Sequence, residues 1–220
     1  TEGTWMSADI SADGEWVYFD LLGHVYRVKS SGGAAESLTQ NSGVALNYQP
    51  RVSPDGKTIA FISDRRGQNN LWVMDADGKN PRPVYTDLNT TAAEPAWTAD
   101  GQYIVVRRGG RGGGEGGGGG GAGLAMYHKD GGQGVMLVAG GTWPSLSRDG
   151  KYLYYHVTMP AVTDKDMLAG GIQLRRMELK SGEIVDVTNG ESVGAAAGRF
   201  SSGGAAAPEI SPDGRWLAFA

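Results

Sequence analysis

The chain has 220 residues, a formal net charge of −4 and no cysteine. Its length is sufficient for one sizeable hydrophobic core or two small ones. The acidic balance argues against a nucleic-acid partner, and the lack of cysteine excludes disulfide scaffolds, thiolate nucleophiles and Cys-ligated zinc. No apolar run approaches the ~20 residues that cross a bilayer, so no membrane span is predicted.

An Asp-Gly turn between two β-patterned runs recurs five times along the chain. Successive copies lie 42, 45, 49 and 64 positions apart. These intervals are close to the ~40–50 residues of a four-stranded propeller blade, with an insertion in the last one. The aspartates of the five turns are Asp13, Asp55, Asp100, Asp149 and Asp213.

The five copies share side-chain types at fixed positions around the aspartate. The residue two positions before it always carries a hydroxyl, which can bond back to the turn backbone. Apolar residues stand four and six positions after it, so both point to the same face of the second strand. The pairs are Val17 and Phe19, Ile59 and Phe61, Ile104 and Val106, Leu153 and Tyr155, and Leu217 and Phe219.

These repeats predict an all-β fold, a partial β-propeller of four-stranded antiparallel blades. Four blades are predicted to be complete, and a fifth has only its first two strands. Because a propeller hides its edge strands by closing on itself, we expect the chain to be a piece of a longer one. The predicted blades cover residues 5–40, 47–87, 93–140, 142–188 and, incompletely, 207–220.

The links between strands differ in length on the two predicted faces. Between the second and third strands, the links that leave the face opposite the Asp-Gly turns are short at 20–23, longer at 63–69 and expanded at 107–123 and 158–171. The link between the fourth and fifth copies, 189–207, is also long. Binding residues are often carried by loops on a rigid scaffold, so this elaborated face is the predicted functional one. The Gly-rich insertion at 107–123 is interpreted as a flexible hairpin and not as an RNA-binding tract.

The inner strands supply candidate binding residues. If the apolar residue three positions before each aspartate faces a neighbouring blade, the residue before it points into the central channel. Such a ring of mixed charge is suited to a peptide terminus or a metal, and a water-filled channel without a role remains an alternative. The ring consists of Asp9, Arg51, Ala96, Ser145 and Glu209, whose polar members are the candidates.

No catalytic, cofactor-binding or metal-binding residue is predicted in the chain. Residues 190–194 match the nucleophile-elbow pattern G-x-S-x-G formally. His24, His128 and His156 all precede Ser192, however, so the order of an α/β-hydrolase triad is not possible here. The tryptophans recur at strand positions, which favours packing between blades over a stacking platform for a ligand.

Several stretches resemble known propeller families. ISPDGRWLAF and VSPDGKTIAF resemble the Pro-Asp-Gly blade repeat of TolB-type propellers, which also occurs in Tricorn-type proteases and prolyl-oligopeptidase relatives. The opening stretch EGTWMSADISADGEWVYFDLLGHVYRV is similar to the propeller that precedes a metal-dependent amidohydrolase domain in large, often exported, bacterial proteins.

The resemblance implies a non-catalytic propeller segment of a larger exported hydrolase, most similar to the amidohydrolases. Its role would be that of a scaffold, a substrate gate or a docking surface. The implied partner is a catalytic domain in the same chain, or else a protein or peptide. A divalent metal such as Zn would belong to that absent domain, and the implied location is periplasmic or secreted. Two alternatives remain, a TolB-like interaction module without an enzyme domain and a propeller that gates a serine peptidase.

Overall fold

The computed structural model describes residues 6–110, 122–158, 172–188, 208–211 and 213–219. Every regular element in these ranges is a β-strand, which confirms the predicted all-β class. The strands form four sheets of four strands and one sheet of two, and each sheet follows the chain order. This arrangement confirms a propeller of four antiparallel blades and the first two strands of a fifth.

The first two blades are built in the same way, from an inner strand to a short outer strand. Successive side chains of a strand point to opposite faces of its sheet, so a blade that lies between two others can pack against both of them. The strands of blade one are β1 (Ala8–Ile10), β2 (Trp16–Leu21), β3 (His24–Lys29) and β4 (Glu36–Ser37). Those of blade two are β5 (Asn47–Val52), β6 (Thr58–Ser63), β7 (Asn70–Asp75) and β8 (Arg82–Tyr85).

The remaining blades repeat this order. The strands of blade three are β9 (Thr90–Trp97), β10 (Tyr103–Gly110), β11 (Gly123–His128) and β12 (Val135–Ala139). Those of blade four are β13 (Gly141–Leu146), β14 (Tyr152–Thr158), β15 (Ile172–Glu178) and β16 (Ile184–Asp186). The fifth sheet has β17 (Glu209–Ile210) and β18 (Leu217–Ala218).

The five Asp-Gly turns have the geometry that their repeated residues predict. In blade two the Ser53 hydroxyl donates to the Asp55 carboxylate at 2.6 Å and accepts from the Thr58 backbone N–H at 3.0 Å. The same pair of hydrogen bonds occurs in the other four turns. The hydrogen bond from the hydroxyl lowers the pKa of each turn aspartate, because it stabilises the charged carboxylate.

Gly56 closes the turn of blade two with φ of 71°, in the left-handed region where a β-branched side chain is strained. Replacing Gly56 by valine is expected to reduce the free energy of unfolding by roughly 1 kcal/mol or more. No atom lies within 4 Å of an added Cβ, so the loss would be conformational and not steric. Chemical denaturation of G56V and of the control G56N, which tolerates this region better, tests the claim. Equal midpoints for the wild type and G56V would contradict it.

Three hydrophobic clusters lie between consecutive blades and hold them together. In blades two, three and four the apolar pair of the second strand packs against the blade before it. Ile59 and Phe61 of blade two thus share a cluster with Tyr18 and Val25 of blade one. Ile104 and Val106 of blade three pack on blade two, and Leu153 and Tyr155 of blade four pack on blade three. The core of this fold is therefore a row of interfaces between sheets.

Some strand ends differ from the predicted ones. β10 runs to Gly110, through the first residues of the predicted insertion, because its backbone pairs with β9 as far as Thr90. Arg107 and Arg108 also have acidic partners on neighbouring segments. The fourth strands of blades one and four, predicted over 36–39 and 183–188, are shorter, at Glu36–Ser37 and Ile184–Asp186. The hydroxyls of Thr39 and Thr188 accept the backbone N–H groups of Val25 and Leu174, where a longer ladder would otherwise continue. Residues 111–121 of the Gly-rich insertion lie outside the described residues.

Candidate binding site in the central channel

A cavity of about 330 Å³ lies among the inner strands of the blades. All four polar candidates, Asp9, Arg51, Ser145 and Glu209, line it, together with Ala96. The structure thus brings together residues that are spread over 200 positions of the sequence. The volume of the cavity is within the range of pockets that bind small molecules or short peptide segments.

Two of the candidates join consecutive blades. The Asp9 carboxylate accepts the backbone N–H of Val52 in blade two at 2.8 Å. The Ser145 hydroxyl accepts the N–H of Ile210 in the fifth blade at 3.3 Å. Because each side chain reaches the neighbouring blade, part of the ring has a structural role that the sequence interpretation did not foresee.

The charged candidates form a small electrostatic group in the cavity. The Arg51 guanidinium donates to the Ser7 hydroxyl and the Pro50 carbonyl, each at 3.0 Å. Burial raises the pKa of Asp9, against the opposing effect of Arg51 and Arg148. Glu209 is accessible to cavity solvent but partly enclosed by protein, and this desolvation raises its pKa, with a smaller contribution from the negative charge of Asp9. The cavity therefore presents both signs of charge to a ligand.

A β-bulge interrupts the inner strand of blades two, three and four at the same place. The register of the strand pairs shifts there in β5, β9 and β13. One residue in each bulge has a left-handed backbone, with φ of 53° at Gln49, 57° at Glu94 and 53° at Trp143. Such angles are uncommon for residues other than glycine, so surrounding contacts must hold them.

These contacts are a chain of hydrogen bonds that we call the bulge relay, formed by Asp20, Gln49, Glu94 and Trp143. The Asp20 carboxylate accepts the Gln49 backbone N–H at 2.7 Å. The Gln49 side-chain carbonyl accepts the Glu94 N–H, and the Glu94 carboxylate accepts the Trp143 N–H, both at 2.7 Å. Each blade thereby fixes the bulge of the next one.

A polar column, which includes Asp20 of the relay, lies one position beyond the apolar pair of the second strands. Asp20, Arg107 and His156 occupy this column, and blade two has Ile62 there. Arg107 donates to the Glu94 carboxylate at 2.8 Å, and Glu94 is only 7% exposed. The sequence interpretation missed this column. Aligning the repeats at one more position would have shown polar residues where a hydrophobic core would have apolar ones.

His156 gives the fold a specific pH dependence. Burial, and secondarily the positive charge of Arg107, lower its pKa to about 4 from an ordinary value of 6.5. The unfolded chain binds this proton more readily between those values, so stability is expected to fall as the pH drops from 6.5 towards 4. The loss should be roughly 2 to 3 kcal/mol. Urea unfolding at pH 7 and pH 4.5 measures it, and H156Q should lose that part of the pH dependence. An identical pH dependence in the variant would contradict the expectation.

A search against protein-family models finds no match to this sequence. Among curated proteins, the chain is 29% identical over 196 residues to the uncharacterized peptidase YuxL of Bacillus subtilis. That alignment covers 89% of this chain and 24% of the peptidase. It is also 30% identical over 111 residues to the Tol-Pal system protein TolB of Wolinella succinogenes, covering 48% of this chain and 25% of TolB. The aligned residues thus cover about a quarter of the length of either relative.

Solved structures with a similar fold include two TolB proteins. A TolB structure from Agrobacterium tumefaciens superposes with a TM-score of 0.75 at 20% identity, over 100% of this chain and 70% of that one. TolB from Acinetobacter baumannii gives 0.66 at 18% identity, over 97% of this chain and 48% of that one. The chain folds as a TolB-type β-propeller. A Mycobacterium tuberculosis puromycin-hydrolyzing peptidase contains a similar region, with a TM-score of 0.62 at 15% identity, over 87% of this chain and 30% of that one.

The cavity of this propeller extends towards the face that carries the Asp-Gly turns. Its lining includes the residue before the aspartate in four Asp-Gly turns, namely Ala12, Pro54, Ala99 and Arg148. The sequence interpretation placed function on the opposite face. Of its predicted links, 63–69 is described, whereas 189–207 and most of 107–123 and 158–171 lie outside the described residues. The functional role of the elaborated face remains a prediction, and the described cavity reaches the face that carries the Asp-Gly turns.

The tryptophans confirm the packing prediction only in part. Trp72 and Trp97 are buried between blades, as expected. Trp143 is 38% exposed and lines the cavity, and Trp216 is 75% exposed. Trp143 is therefore not a residue that packs between blades. It lies in a bulge with a left-handed backbone, which interrupts the regular alternation of side chains between the two faces of the strand.

Within the described ranges, no group of three or more His, Cys, Asp or Glu residues is arranged to hold a metal ion. The same part of the chain contains no helix long and apolar enough to cross a membrane.

Proposed function

We propose that this propeller is the non-catalytic module of a peptidase and admits peptide segments to its channel. The observation that carries the proposal is the 29% identity to a Bacillus subtilis peptidase over 89% of this chain. Three quarters of that relative lie outside the alignment, which is ample for a separate catalytic domain. The chemistry is assigned to such a domain, and the propeller acts as scaffold and substrate gate.

The cavity suits this role. A volume of about 330 Å³ accommodates a few residues of an extended peptide but not a folded domain. Asp9 and Glu209 offer carboxylates to a peptide amino group, and Arg51 and Arg148 offer guanidinium groups to a carboxylate. Fixed charges on rigid inner strands favour orientation of a ligand, because little side-chain ordering is needed on binding.

A TolB-like interaction module without an enzyme domain is the second candidate. The TM-score of 0.75 to a TolB structure and the 30% identity to a TolB protein favour it. In this case the cavity would take a segment of a partner protein, and a periplasmic location is proposed with it. The amidohydrolase parent implied by the opening stretch, with its divalent metal such as Zn in another domain, is not supported by these relatives.

Hydrolysis assays on the natural protein that carries this chain test the proposal. We expect cleavage of peptidyl p-nitroanilides that is lost after treatment with a fluorophosphonate, which labels an activated serine. The 220-residue chain alone is the matched control and should cleave nothing. Activity that is abolished by a chelator and spared by the fluorophosphonate would contradict the peptidase and favour the amidohydrolase. Absence of hydrolysis, together with stable capture of a protein segment by the channel, would favour the TolB-like module.

A further inference from the structure

Trp143 differs from its two counterparts in the bulge relay. Gln49 and Glu94 use their side-chain oxygens to accept the N–H of the following bulge. The indole of Trp143 has a donor and no acceptor, so it cannot make the equivalent bond. The relay needs only the backbone N–H of Trp143, which the Glu94 carboxylate accepts. The hydrogen-bond network therefore explains the bulge at this position but not the tryptophan side chain.

The side chain is also a costly choice for this position. A large residue in the left-handed region is strained, and this strain is often retained where function requires it. Trp143 is 38% exposed, and the cavity that it lines is also lined by Pro144, Pro95 and Ala96. A large aromatic residue with more than a third of its surface exposed thus lines the cavity together with apolar residues of the inner strands. The charged residues Arg51 and Glu209 line the same cavity.

We propose that Trp143 is a specificity-determining residue of the channel. Its indole stacks on an aromatic side chain of an extended peptide, while the charged residues contact the polar groups of that peptide. This inference rests on the proposed function, since it assumes that peptide segments enter the cavity. It adds the class of peptide that is preferred, namely one with an aromatic residue.

Calorimetric titration of the full chain with two tetrapeptides tests the preference. One is the alanine tetrapeptide, and the other has phenylalanine in place of its third alanine. We expect the phenylalanine peptide to bind more tightly by on the order of tenfold. W143A should remove this difference, and W143F, which keeps a ring, should retain part of it. W216F is the matched control, because Trp216 is exposed and does not line the cavity.

Each outcome decides a different claim. Equal affinity of the wild type for both peptides would overturn the role of Trp143 and leave the peptide channel intact. Binding of neither peptide would count against the channel itself and thus against the proposed function. Tighter binding of a peptide with lysine at the third position would replace aromatic selection with cation recognition and overturn the inference. A fall of more than about 5 °C in the melting temperature of W143A would assign the indole to packing and overturn it as well.

Discussion

Replacing Glu94 by alanine is expected to reduce the free energy of unfolding by about 3 kcal/mol or more. The Glu94 carboxylate accepts the Trp143 backbone N–H at 2.7 Å and the Arg107 side chain at 2.8 Å. The Glu94 side chain is 6% exposed, and that of Arg107 is 27% exposed. The substitution would leave a guanidinium and a backbone donor without this acceptor in a poorly solvated place, which costs more than the lost attraction itself.

Two further variants separate the causes in a urea-unfolding experiment. E94Q keeps the shape and one acceptor oxygen but loses the charge, so it should cost roughly half as much as E94A. Glu36 pairs with Arg27 at 2.8 Å but its side chain is 56% exposed, and E36A is expected to cost less than about 1 kcal/mol. If E94A and E36A gave similar losses, the relay would not be the connection between blades that we infer.

A second large effect is expected from Phe61, which is fully buried between blades one and two. Replacing it by alanine should reduce the free energy of unfolding by about 3 to 5 kcal/mol, because the rigid sheets on either side cannot close the cavity that remains. The same position of the repeat provides two internal controls. Phe19 is half-buried in blade one, and Phe219 is 52% exposed in the fifth blade.

The three alanine variants should therefore form a graded series, with F61A the most destabilised and F219A close to the wild type. Unfolding midpoints in urea rank them directly. The series tests whether this position of the repeat packs against the preceding blade. If all three variants lost similar amounts of stability, burial against a neighbouring blade would not be the reason why this position stabilises the fold.

The repeats made much of the fold predictable. Comparison of five copies indicated the strands, the hydroxyl before each aspartate and the apolar pair after it, all of which the structure contains. These features depend on nearby residues and on side chains that alternate with a period of two. The channel ring followed from the same alternation, and Asp9, Arg51, Ser145 and Glu209 do line one cavity.

The bulges could not be predicted in this way. A bulge adds one residue to a strand, so every residue before it changes face relative to simple alternation. Trp143 lies in such a bulge, and for this reason the packing role predicted for it was wrong. The polar column of Asp20, Arg107 and His156 can be found by aligning the repeats. Its structural role could not be predicted, because Arg107 pairs with Glu94, and Glu94 lies in the bulge of β9.

The sequence by itself determined the repeat, the blade architecture and the turn chemistry, because each rests on contacts between residues close in the chain. Only the tertiary structure decided which side chains of different blades meet. The relay from Asp20 through Gln49 and Glu94 to Trp143 links four blades, and its partners lie about 30 to 50 positions apart. Such contacts depend on how twisted sheets pack against one another, which the pattern of a single blade does not contain.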